Sequence, residues 1–381
     1  MVGVISAFNT TSNIEYDSLK SWIRLILLFT IGVIGTVGMW SVVVVMPAIE
    51  NEFNIDRGHA SLLYATTMVG FGLGNFLIGK IIDKFGLKLP IIFAIIILVS
   101  SYLIAMISTE FWHLLILQIF MGTAAATFFG PSMADIGNFF EKRRGLAVAI
   151  IASANYVAGA FWPLIISYFL EYTTWKEVYL YIAIICMVIM FPIALFLKNN
   201  VASNISNNDL STEGNSLTNL SPNTLQILLI LAGIGCCLAM AMPQVHIVAL
   251  CVERGFGLSI GAEILAVMLF SGMISRVGFG FLSDKIGPVY TLFIGSLLQM
   301  LSLVFFLPFD SQLSLYIVSL MFGLSQGGIV PAYAMIIRKY LPIEQVGERV
   351  GLVIMATIVG MGLGGWMSGE IFDITQSYKL A

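Results

Sequence analysis

The chain has 381 residues, 59% of them hydrophobic and only 10% charged, with a mean hydropathy of +0.96 and a net charge of −3. A soluble domain is about a quarter charged, so a water-soluble fold is excluded and lipid is the expected solvent. No basic stripe with interleaved aromatics is present, so no nucleic-acid partner is expected.

A polar stretch, residues 1–20, comes first. It shows no signal peptide, because the apolar run that follows is too long for an h-region. Eleven apolar runs then lie near 22–49, 60–79, 89–108, 111–137, 145–170, 175–197, 225–250, 259–282, 289–308, 312–337 and 347–368. Each is long enough for a helix crossing about 30 Å of hydrocarbon and too long for a barrel strand, which predicts an all-α membrane protein. With the N-terminus in the cytoplasm, thirteen Lys and Arg fall in inner segments. Only Arg57, Lys176, Arg254 and Lys379 fall outside. That asymmetry is the positive-inside pattern and fixes the expected orientation. The four cysteines (Cys186, Cys236, Cys237, Cys251) lack metal-ligand spacing, so no metal or other cofactor is expected.

Residues 199–224 form the one long polar stretch, rich in Asn and Ser. It predicts a flexible cytoplasmic linker between a six-helix half, 1–198, and a second half, 225–381. Only thirteen residues follow Ser368, and they are not apolar enough to span. A twelfth span is therefore expected to be missing, by truncation or by nature.

The two halves repeat. Gly79-Lys-Ile-Ile-Asp83-Lys84-Phe-Gly86 follows the second span, and Gly280-Phe-Leu-Ser-Asp284-Lys285-Ile-Gly287 follows the eighth, at an offset of 201 residues. Gly122 to Pro131 echoes Gly323 to Pro331 at nearly the same offset. Repeats with an even number of spans run parallel, as expected of two six-helix transporter halves. These paired loops resemble the signature loop of the major facilitator superfamily, and the resemblance covers essentially the whole chain. It implies a substrate site between the halves, alternating access, and function as a monomer. It also implies a cytoplasmic gate at Asp83, Lys84, Lys88, Arg144, Asp284 and Lys285. Asp135 is expected there as a charge partner for Lys84 or Lys88. The competing reading of these charges is plain positive-inside topology.

Arg276 lies eight residues before Asp284, about 12 Å along a helix and so near the bilayer midplane. A guanidinium there costs about 2.5–3.5 kcal/mol on insertion scales and usually marks a substrate path. Its planar fork suits a carboxylate, and one positive charge favours a monocarboxylate over a dicarboxylate. The alternative is a structural arginine held by backbone carbonyls. Asn155, Gln326, Tyr156, Trp40 and Tyr333 are the other candidate lining residues. For the polar ones the alternative is an interhelical hydrogen bond.

Asn138-Phe-Phe-Glu-Lys-Arg-Arg-Gly-Leu-Ala, Ser153-Ala-Asn155-Tyr156 with Phe161-Trp162-Pro163, and Phe372-Asp-Ile-Thr-Gln-Ser-Tyr378 resemble the monocarboxylate-porter and oxalate/formate-antiporter branch. In that branch an arginine at the position of Arg276 is the expected anion ligand, and an acid often stands four residues earlier. Here that position is Gly272. Glu263 and His246, nearer the outer face, are the remaining proton-coupling candidates.

The expectation is therefore a secondary transporter for a small organic anion, by proton symport or anion exchange, in a bacterial inner membrane. Efflux of a drug-like metabolite is the competing transporter reading, and a non-transporting ligand sensor a further one. No Ser/His/Asp set or paired midplane carboxylates point to an enzyme.

Overall fold

The computed structural model describes residues 16–197, 221–308, 310–341 and 345–381, with the backbone alone at 79, 80, 83 and 84. Among these residues eleven helices are long and apolar enough to cross a membrane. They are α1 (Leu19–Phe53), α2 (Arg57–Phe85), α3 (Lys88–Ile107), α4 (Phe111–Ile136), α5 (Arg144–Leu170) and α6 (Trp175–Phe196). The later five are α7 (Pro222–Glu253), α8 (Leu258–Ile286), α9 (Pro288–Phe305), α10 (Gln312–Tyr340) and α11 (Val346–Thr375). Several run past the apolar stretches that announced them, because hydropathy marks the hydrocarbon layer while helices continue into the interface. The 35 residues of α1 would span about 52 Å.

Most of the expected linker lies outside the described residues. Its last four residues instead open α7, where the Ser221 hydroxyl caps the helix by accepting from Thr224 N at 3.2 Å.

One helix pair welds each group of spans. Gly122 of α4 lies so close to α2 that a Cβ would stand 2.0 Å from the Thr67 carbonyl oxygen. Gly323 of α10 makes the same approach to the Met268 carbonyl of α8, also at 2.0 Å. Both members of the second pair follow the first by the 201 residues of the sequence repeat.

Between the first six spans and the last five, α2 packs on α11 and α5 on α8. The α2–α11 contact runs from Gly72, facing Met355, to Gly58, facing Glu370 and Asp373. It therefore favours the face opposite the basic loops. Toward the basic face Gly145 of α5, Gly278 and Gly280 of α8, and Gly351 of α11 have open space where a Cβ would lie. The contact between α2 and α11 is thus concentrated on the side opposite the loops that carry most of the Lys and Arg.

Candidate functional site

Arg276 sits where α5, α8 and α10 converge. α10 is interrupted there: its helix ends at Gln326 and restarts at Ile329, with Gly327 and Gly328 between. A Cβ on Gly327 would stand 2.4 Å from the Gly272 carbonyl oxygen and 2.5 Å from Arg276 N, so only glycine lets α10 meet α8 at this point. The break frees the Gly327 carbonyl, which accepts from Arg276 Nε at 3.3 Å, while Arg276 Nη1 donates to the Ala152 carbonyl of α5 at 2.7 Å. The guanidinium carbon lies 4.5 Å from the centre of the Tyr156 ring, a cation–π contact. Arg276 is half-buried, and among the described residues no Asp or Glu pairs with it.

Two further interactions border this group. Trp40 Nε1 of α1 donates to Asn155 Oδ1 at 3.0 Å and lies 3.1 Å from the Asn155 carbonyl oxygen. Gln244 Nε2 of α7 donates to Gln326 Oε1 at 2.7 Å. Gln326 Nε2 and Gln244 Oε1 are left buried without partners among the described residues. The vacant Cβ position of Gly272 lies 3.4 Å from Gln326 Nε2 and 2.7 Å from the Tyr156 ring, which joins the two clusters. Away from this group, the Tyr64 hydroxyl of α2, whose ring faces Gly365 of α11, is likewise buried without a partner among the described residues.

Trp40, Asn155, Tyr156, Arg276 and Gln326 are thus neighbours, each from a span the sequence placed it on. Tyr333 is not brought to Arg276. It is buried in a separate cluster with Met240, Val353 and Ile336. Gln244 was missed, although a polar residue directly after Pro243 in an apolar run was a usable signal. Tyr64 carried none, since a tyrosine in an apolar helix reads as wall.

Among the expected gate residues, Asp135 has a different partner from the one expected. Asp135 accepts from Arg24 Nε at 2.7 Å and Nη2 at 2.8 Å, not from a loop lysine. Lys88 Nζ donates to the Leu195 carbonyl at 2.6 Å. The Asp83 and Lys84 side chains lie outside the described residues. Arg144 is exposed and folds back toward Gly137 at the end of α4. Asp284 and Lys285 are exposed and make no ion pair among the described residues.

The proton-coupling candidates separate. Glu263 is exposed and accepts from the Tyr316 hydroxyl at 2.5 Å. His246 is buried between the Gly365 carbonyl at 2.7 Å and the Tyr378 hydroxyl at 3.0 Å.

Residues 28–365 match the family model described as Major Facilitator Superfamily. Among curated proteins the chain is 23% identical over 295 residues to MFS transporter asaE of Aspergillus flavus, covering 76% of this chain and 65% of that protein. It is 24% identical over 326 residues to monocarboxylate transporter 13 of Bos taurus, covering 84% of this chain and 74% of that one. The chain therefore spans about two thirds of the fungal relative's length. Among solved structures, nucleoside transporter NupG superposes with a TM-score of 0.75 at 13% identity, covering 93% of this chain and 92% of that one. A bacterial homologue of the human lysosomal transporter Spinster, in an inward-facing and occupied conformation, superposes with a TM-score of 0.73 at 14% identity, covering 93% of this chain and 82% of that one.

Proposed function

The chain belongs to the major facilitator superfamily, and from that premise we propose that it transports a small organic anion, most simply a monocarboxylate, by alternating access. One observation carries this reading. Arg276 is a cation deep in the membrane that the described residues give no counter-anion, only two carbonyls and an aromatic ring. Stripping water from a cation without pairing it is costly, so such a group is retained where an anion completes it. Carbonyl contacts through Nε and Nη1 also aim the guanidinium fork, which a carboxylate can accept with two oxygens. The likeness to a monocarboxylate transporter supports the same substrate class.

A second reading, efflux of a larger metabolite, is favoured by the fungal relatives. One is the agnestins efflux protein AgnL12 of Paecilomyces divaricatus, 22% identical over 298 residues, with 78% of this chain and 68% of that one covered. The protein is an integral multi-pass membrane protein. The curated relatives named here are fungal and mammalian, so the expected bacterial inner membrane gains no support from them. Coupling by proton symport or by anion exchange fits the site equally.

The test is thermal stability of the purified protein against monocarboxylates, dicarboxylates and uncharged analogues, with Arg276→Gln in parallel. A ligand that binds only the folded state stabilises it in proportion to occupancy. Loss of a charge-assisted contact of about 3 kcal/mol weakens binding by about a hundredfold, so the monocarboxylate shift should vanish in the variant. Shifts from neutral compounds alone, or an undiminished response in Arg276→Gln, transfer the case to efflux.

A further inference from the structure

On the face opposite the basic loops, the start of α2 lies against the last turns of α11. Asp56 is the N-cap residue of α2 yet makes no side-chain cap bond. Asp373 of α11 takes over that role: its Oδ1 accepts from Arg57 N at 3.1 Å and its Oδ2 from Gly58 N at 2.5 Å. A carboxylate there satisfies the first free N–H groups of the helix and meets the positive end of its dipole. The approach requires glycine, since a Cβ on Gly58 would stand 2.6 Å from Glu370 Oε1 and one on Gly369 would stand 3.0 Å from Gly58 Cα.

Arg57 ties in the neighbouring elements. Its Nε lies 3.4 Å from Glu50 Oε2 of α1, and its Nη1 donates to Glu253 Oε2 of α7 at 3.1 Å and to the Tyr378 hydroxyl at 3.2 Å. The guanidinium also covers the Phe372 ring at 4.1 Å. Tyr378 leads on to His246. The Gly365 carbonyl can only accept, so His246 Nε2 carries the proton and Nδ1 of the neutral ring accepts from the Tyr378 O–H. A single directed chain results: Arg57 N–H to Tyr378, Tyr378 O–H to His246, His246 N–H to Gly365.

We propose that this chain is a proton-sensitive latch, which keeps the outer ends of α2 and α11 together while His246 is neutral and releases them when His246 takes a proton from the outer side. Protonation replaces the Nδ1 lone pair with a second N–H. The Tyr378 hydroxyl then loses its acceptor, and a second cation stands in the chain that holds Arg57. The latched state binds one proton fewer on His246 than the open state. Falling outer pH therefore shifts the population toward opening, by at most about tenfold per pH unit for one proton. The groups around this chain are Tyr378 on the turn after α11, Arg57 and Tyr64 on α2 with Asp56 at its N-cap, Glu50 on α1, Glu253 on α7, and Glu370 and Asp373 on α11. Protonating Glu50, Glu253 or Asp373 loosens the latch in the same direction, so the experiment has to separate the carboxylates from the histidine. The proposal rests on alternating access between the two groups of spans and not on the identity of the substrate.

Ser61 supplies a reporter. It is fully buried beneath the latch and donates to the Gly58 carbonyl at 2.8 Å. In Ser61→Cys protein reconstituted in oriented vesicles, labelling by a membrane-impermeant thiol reagent is measured from the outer side. Rates at each pH are divided by those of the Asp373→Asn derivative, which lacks the cap charge. The relative rate is expected to rise several-fold from about pH 8 to about pH 5.5, spanning the ordinary histidine range. His246→Gln is expected to be flat across that range. Tyr378→Phe, which cuts the link to Arg57, is expected to lose the same dependence. Lys176→Gln breaks a 2.6 Å pair with Glu52 that lies wholly within the first six spans, and is expected to change nothing. A parent rate without pH dependence overturns the proposal. So does full dependence retained in His246→Gln, which would place the proton on the carboxylates, or in Tyr378→Phe, which would show that Tyr378 does not link His246 to Arg57.

Discussion

Asp135→Ala is expected to destabilise the protein by about 3–5 kcal/mol, the range for removing one partner of a buried ion pair. The structure sets the regime. Arg24 grips both carboxylate oxygens of Asp135, at 2.7 and 2.8 Å, and the two side chains are 9% and 11% exposed. The guanidinium also covers the Phe139 ring at 4.5 Å. An exposed pair with a loop lysine, which the sequence suggested for Asp135, would be worth only about 0–1 kcal/mol. At this burial solvent screens little, and two charge-assisted bonds of about 1.5–3 kcal/mol each reach the upper range together. Equilibrium unfolding in mixed micelles with rising dodecyl sulfate, followed by circular dichroism, reads the difference directly. Replacing both partners, as Arg24→Met with Asp135→Leu, should recover most of the loss, because no charge is then left buried alone. A cost under about 1 kcal/mol for Asp135→Ala would refute the reasoning, as would a double variant no better than the single.

Three further outcomes are expected. Gly122→Ala and Gly323→Ala should each cost about 1–3 kcal/mol in the same titration, since a methyl would collide with a backbone carbonyl at 2.0 Å. Gly235→Ala, with nothing within 4 Å, should be neutral or slightly stabilising. Burial raises the pKa of the Asp17 carboxyl, but the backbone N–H groups of Lys142, Glu141 and Arg143, with the Arg143 charge, outweigh it and hold it below its ordinary value. A depressed folded-state pKa contributes stability above the unfolded value that fades as pH falls through the folded one. Asp17→Asn should therefore be less stable than the parent at neutral pH, and the gap should close in acid. A gap that persists below the carboxylate range would exclude this origin.

The spans were readable because lipid imposes a length and a composition on each, and the repeat because Gly79–Gly86 and Gly280–Gly287 are local strings. Arg276 was readable as a lone charge counted inward from a loop. The partner of Asp135 was not: Arg24 lies 111 residues away, and at the end of a first span it passes for a topology signal. Tyr333 illustrates the opposite limit. Depth along α10 follows from counting residues, but which way a side chain turns depends on the crossing of α10 with α7, and no apolar period records that in an all-apolar segment. The break at Gly327 and Gly328 stands openly as a glycine pair. Its meaning, a carbonyl handed to Arg276, needed the neighbouring helix.

The 2.0 Å approaches of Gly122 to Thr67 and of Gly323 to Met268 bring main chain against main chain within each group of spans. Across the divide, apart from the approach of Gly369 to Gly58 at the outer end, the neighbours are different. Gly159 faces the end of Leu269, Gly272 faces the Tyr156 ring, and Gly72 faces the Met355 sulfur. Fixed masonry has no second arrangement, whereas a leucine, a tyrosine and a methionine can each turn about their own bonds. Substitutions at the masonry should therefore lower the yield of folded protein, while substitutions at the turning side chains should alter how fast an intact protein cycles.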